Sequence, residues 1–103
     1  MNSHIEIPKE KIETFCRQHH ISELGLFGTV LHEDFRRNSG IGVLAGFERE
    51  HRPGPAKLVE MQDKLAAIFG QSVELMERQS VEKSNNYIRR RHILKSVEPI
   101  YAL

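Results

Sequence analysis

Gly28-Thr29 and the run Ser39-Gly40-Ile41-Gly42-Val43-Leu44 frame the part of this chain where side chains could do chemistry. A glycine followed by a hydroxyl residue at a helix start offers backbone N–H groups and a hydroxyl to an anion such as phosphate. Residues i and i+2 of a strand point the same way, so an acidic pair in such a run can hold Mg²⁺ for phosphoryl transfer, with a third carboxylate from a neighbouring strand. Positions 40 and 42, where the metal ligands would stand, are glycine. The stretch has the layout of a nucleotide-handling site without its metal pair.

A second chemical feature is the basic run Arg89-Arg90-Arg91-His92, followed by Lys95. On a helical wheel Tyr87, Ile93, Leu94 and Val97 form one face, with Arg90 inside it and Arg89, Arg91 and His92 flanking or opposing it. An arginine on a buried face needs an anionic partner, either a nucleotide phosphate or a carboxylate of a protein partner. The alternative is a solvated face with Arg90 snorkelling past the core. Both readings stand for Arg90, and a solvated face suits Arg89 and Arg91.

Helices and strands must position these residues. Pro8 to about His20 reads as a helix with an apolar stripe of Ile12, Phe15, Cys16 and His19. Glu23-Leu24-Gly25-Leu26-Phe27 reads as a buried strand stopped by a turn at Gly28, and Thr29 to about Asp34 as a short helix. Ser39 to Phe47 is a second strand, and the Pro/Gly-rich, charged loop 48–55 is on composition the most mobile segment. Lys57 to Phe69 is an amphipathic helix presenting Leu58, Met61, Leu65, Ile68 and Phe69, with Gly70 suited to its C-terminal cap. Ser72 to Met76 alternates as a third strand in which Glu74 points away from Val73 and Leu75. A last helix over Asn86 to Ser96 leads to a tail that docks through Ile100, Tyr101 and Leu103. The alternation predicts an α/β (α+β) layer, a short mixed sheet packed against helices.

Bulk properties narrow the function classes. The chain has 103 residues, which suits one domain over 1–103 with a core of its own. Its formal net charge of +1 argues against a protein that coats nucleic acid or is steered to a membrane. A lone cysteine, Cys16, cannot form an internal disulfide, and neither a leader pattern nor a long apolar span is evident, so a cytoplasmic setting is expected. Cys16 fits the helix stripe as a small hydrophobe. Histidines at 4, 19, 20, 32, 51 and 92 do not have the spacing of a zinc frame.

With these residues in view, the chain resembles the minimal nucleotidyltransferases of the polymerase-beta-like superfamily, many of which are antitoxins paired with a HEPN-domain ribonuclease toxin. The family's Gly-Ser turn corresponds to Gly28-Thr29, its Asp-x-Asp strand to Ser39-Gly40-Ile41-Gly42-Val43-Leu44, and its third carboxylate to Glu74. Matching elements from the first helix to Asn86–Lys95 extend the resemblance over nearly the whole chain. It implies a nucleotidyltransferase fold and the antitoxin role of a type VII-like HEPN/MNT pair. The family activity is transfer of AMP from ATP, with Mg²⁺, to a tyrosine of the toxin. The resemblance further implies that Gly28, Thr29, Ser39 and His32 line the nucleotide site and that Glu74 assists the metal or activates the tyrosine. In the same reading positions 40 and 42 hold the metal when they are aspartate, and Arg89, Arg90 and Arg91 meet the partner.

Thr29 keeps the hydroxyl of the family serine, His32 replaces a frequent arginine, and Glu74 lengthens the aspartate arm. Gly40 and Gly42 remove both metal ligands. Mg²⁺ needs near-octahedral oxygen ligation, and losing about 4 kcal/mol of metal stabilisation costs roughly a thousandfold in rate. Impaired catalysis and weak or absent metal binding are therefore expected. Either the glycines are lost aspartate sites, by natural decay or deliberate inactivation, or a bulge or close backbone approach requires them. The functional expectations are a disabled transferase antitoxin, an antitoxin that neutralises by binding alone, or a stand-alone transferase domain; ATP and a HEPN toxin are the expected partners, with no membrane or direct nucleic acid.

Overall fold

The computed structural model describes residues 7–28 and 40–102. The expected helix at 29–34 and residues Thr29, His32, Ser39 and Leu103 lie outside them. The element order is α1 (Lys9–Gln18), β1 (Ile21–Phe27), β2 (Ile41–Phe47), α2 (Pro55–Phe69), β3 (Val73–Glu77), α3 (Arg78–Glu82), α4 (Tyr87–Ser96) and β4 (Glu98–Ala102). The strands form one sheet in the order β3-β2-β1-β4. β1 pairs antiparallel with both β2 and β4, whereas β2 and β3 run parallel and are joined through α2.

Each face of the sheet is covered by its own helices, which suits strands that are apolar on both sides. On one face Ile41, Val43 and Ala45 of β2 join Leu24, Leu26, Val73 and Leu75 beneath Ile12, Phe15 and Cys16 of α1 and Met61 and Leu65 of α2. On the other, Phe27 and Leu44 meet Val81 of α3 and Ile93 of α4. Leu58, Ile68 and Phe69 pack at the margin of the first cluster, and Gly70 ends α2 at φ +71°. Cys16 is fully buried, and burial pushes its thiol up to about 12.

Two elements differ from the sequence expectation. The tail after Val97 is an edge strand, with Leu24 opposite Tyr101 and Glu23 opposite Ala102. Pro99 hides this in sequence, although proline is tolerated where a strand's outer edge needs no donor. α3 is a single short turn whose one buried side chain is Val81, too short to show a helical period.

The loop 48–55 is fastened at several points. Glu48 N–H donates to the His20 carbonyl at 2.8 Å, the His51 ring stacks on His20 at 3.8 Å, and Arg52 binds the buried Glu77 carboxylate at 2.5 Å. Tertiary partners, rather than composition, hold its backbone.

Candidate functional site

Strand register assembles the site at one end of the sheet. β1 ends at Phe27, directly opposite Gly42, and Gly28 then turns the chain at φ +87°, a conformation that favours glycine. Ile41 N–H donates to the Ser72 carbonyl at 2.8 Å and aligns the starts of β2 and β3. Gly42 consequently lies beside Glu74 in the parallel ladder. Val73 and Leu75 enter the core under α1 and α2, so the alternation turns Glu74 outward, toward the side covered by α4. Gly28, Gly42 and Glu74 thus come together, with Gly40 just ahead of β2.

The two glycines differ in their surroundings. Among the described residues, a side-chain carbon at position 40 would meet the Ser72 carbonyl alone, at 4.0 Å. At position 42 it would stand 2.7 Å from both the Phe27 ring and the Phe27 carbonyl oxygen. Gly42 is therefore a site of close backbone approach, one of the two origins open from sequence, whereas Gly40 has room for a side chain.

Glu74 receives a cation from the chain itself. Arg89 Nη2 donates to Glu74 Oε1 at 2.8 Å and also lies 3.7 Å from Met76 Sδ. Local structure aims it there: Asn86 caps α4 by accepting the Arg89 backbone N–H on Oδ1 at 3.1 Å, and Asn86 N–H donates to Ser84 Oγ at 3.2 Å. Arg90 completes the turn by donating to the carbonyls of Ser84 at 3.1 Å and Glu82 at 3.5 Å, with its guanidinium 5.4 Å from the centre of the Tyr87 ring. Among the described residues Arg90 thus meets two neutral backbone carbonyls and the Tyr87 ring rather than a carboxylate. Arg89 is the arginine that joins the two regions singled out in the sequence.

The sequence places Asn86 at a helix start and Phe27 at a strand end, and neither is expected there as a residue that shapes the site. A helix-capping asparagine at the start of the basic run is a readable signal for the first; the clash around Phe27 arises from strand register and has no sequence signal.

Tyr87 is 58% exposed and Ile88 80%, so Tyr87 does not join the buried face of Ile93, Leu94 and Val97. The apolar contacts of α4 with the sheet come from its later part, Ile93 and Leu94, whereas the first turn reaches β3 through Arg89. Tyr87, Ile88, Arg91, His92 and Lys95 instead line one outer stripe around a hollow of about 370 Å³. Arg91 and Lys95 form no ion pair among the described residues.

Mg²⁺ does not suit the donors among the described residues. Among the described residues no cluster of three His, Cys, Asp or Glu side chains could hold a metal, and Glu74 already has a guanidinium on its carboxylate. A hard divalent ion needs several oxygen ligands.

The architecture is that of a minimal nucleotidyltransferase fold. No family model matches the chain, and no curated protein does. Solved structures match it throughout. A toxin–antitoxin complex with AMP-PNP superposes at TM-score 0.71 over 94% of this chain and 75% of its own, at 16% identity. A protein assigned as a minimal nucleotidyltransferase gives TM-score 0.67 over 89% of this chain and 88% of its own, at 18% identity. A complex of a tri-AMPylated HEPN toxin with its MNT antitoxin, from Shewanella oneidensis, gives TM-score 0.62 over 92% and 70%, at 14% identity.

Proposed function

We propose that this chain is the antitoxin of a HEPN/MNT toxin–antitoxin pair and that it neutralises its ribonuclease partner by binding, with AMP transfer lost. The observation that carries this reading is the Glu74–Arg89 pair: the remaining carboxylate of a transferase-type site is neutralised by a guanidinium beside glycines at 40 and 42. Metal-assisted phosphoryl transfer draws its rate from cations held between carboxylates, and among the described residues Glu74 has no second carboxylate beside it at this strand end. Similarity in fold to the antitoxin bound to a tri-AMPylated toxin supports the choice of partner.

The outer stripe of α4 supports the binding role. Ile88 and Tyr87 offer apolar area, flanked by Arg91 and Lys95, which have no ion pair among the described residues. An exposed aliphatic group ringed by cations fits an acidic protein surface with an apolar socket. It suits nucleic acid less well, since aliphatic Ile88 offers a base no aromatic face to stack on and Arg90 already lies over the Tyr87 ring.

The test is to incubate the purified chain with ATP, Mg²⁺ and the HEPN toxin, then follow RNA cleavage and the toxin's intact mass. Protection of RNA at unchanged toxin mass is expected. Toxin mass rising by AMP units would refute the loss of transfer, and unprotected RNA would refute the antitoxin role.

A further inference from the structure

The donors at Glu74 do not suit a divalent cation, and this disagreement with a metal-dependent site has a consequence for ligand binding. A site built of carboxylates repels a polyphosphate until metal ions reverse its charge. Here the local ledger is different: Gly40 and Gly42 contribute no charge, and Arg89 cancels Glu74.

We propose that Arg89 takes the place of the divalent cation beside Glu74, so that this end of the sheet binds a nucleoside triphosphate without divalent metal. The inference rests on the reading that the nucleotide end of the fold is retained. A guanidinium has five N–H donors in a planar fork matched to phosphate oxygens. One Arg89 nitrogen, Nη2, meets the Glu74 carboxylate, and the side chains of both residues are about half exposed, so the fork is accessible. An ion pair at such exposure is weak, and Arg89 can turn toward phosphate at little cost. Asn86 fixes the backbone of Arg89, and the turn at Gly28 stands on the same sheet end.

Calorimetric titration of the full chain with ATP tests this, in EDTA and again in Mg²⁺. Equal affinity in the two buffers is expected, weakening from ATP to ADP to AMP as phosphates are removed. Arg89→Gln should lose about tenfold or more, the size of one charge-assisted hydrogen bond, whereas Glu74→Gln should bind at least as tightly because it frees the fork. Unchanged thermal melts of both variants would separate a lost contact from a lost fold. Binding that requires Mg²⁺, or that survives Arg89→Gln undiminished, would overturn the inference. So would a single-stranded oligonucleotide that displaces ATP at equal phosphate concentration, since it would assign Arg89 to nucleic acid. A chain that protects RNA from the toxin yet binds no ATP in either buffer refutes this inference alone and leaves the antitoxin reading standing.

Discussion

A side-chain carbon on Gly42 would lie 2.7 Å from the carbonyl oxygen of Phe27, its partner across the β1–β2 ladder. The backbone oxygen cannot swing aside as a side-chain tip can. Gly42→Ala should therefore destabilise the fold by about 1–3 kcal/mol, the usual cost of overpacking. Gly40→Ala, whose added carbon meets nothing closer than 4.0 Å among the described residues, should change stability by less than about 0.5 kcal/mol. Urea unfolding midpoints of the two variants check the contrast, and equal effects would remove Phe27 as the cause.

Arg52 fastens the loop after β2 to Glu77, which is 6% exposed and sits at the end of β3. Removing the guanidinium strands a buried carboxylate, so Arg52→Ala should cost about 1–3 kcal/mol. The exposed pair Arg17–Glu13 on α1 should contribute only about 0.3–0.5 kcal/mol by the same measurement. Thermal melts of Arg52→Ala and Arg17→Ala give the comparison.

His19 packs against Phe15 with ring centres 4.6 Å apart, and its Nε2 has no hydrogen-bond partner among the described residues. Burial holds its pKa below 6.5, helped by Lys64, Lys57 and His20 and opposed by Glu60. The unfolded chain therefore takes up this proton first as the pH falls. Stability from the neutral ring is present above about 6.5 and declines below it. Unfolding free energies at pH 7.5 and 5.5 should fall less for His19→Leu than for the unaltered chain.

The stripe on α4 predicts binding without a stability effect. Ile88 and Arg91 are exposed, and the double variant Ile88→Ala/Arg91→Ala should melt within about 0.5 kcal/mol of the unaltered chain. Under the proposed antitoxin role, its affinity for a HEPN toxin should drop by about tenfold or more, as for an interface anchor and its flanking cation. Surface plasmon resonance on the intact pair measures this.

Much of the fold was legible because its signals are local. The stripes of α1 and α2, the alternation around Glu74 and the turn glycines at 28 and 70 follow from periodicity and backbone sterics, and each element is found within a few residues of its expected bounds. β4 and α3 carry weak local signals and owe their form to the edge of β1 and to the pocket that receives Val81. The boundaries of β1 and α2 each start two residues earlier than expected, Ile21 and Pro55, since partner strands and a proline at the first helical turn extend them.

By itself the sequence determined that Glu74 leaves the core face of its strand, that Gly28 ends β1, and that no acidic pair stands at 40 and 42, because side-chain type and strand period are properties of the chain alone. Only the tertiary structure decided that Gly42 is hemmed in by Phe27 while Gly40 is open, and that Arg89 rather than Arg90 reaches Glu74. Those facts depend on strand register and on the angle at which the Asn86 cap launches α4, distances set between residues far apart in sequence.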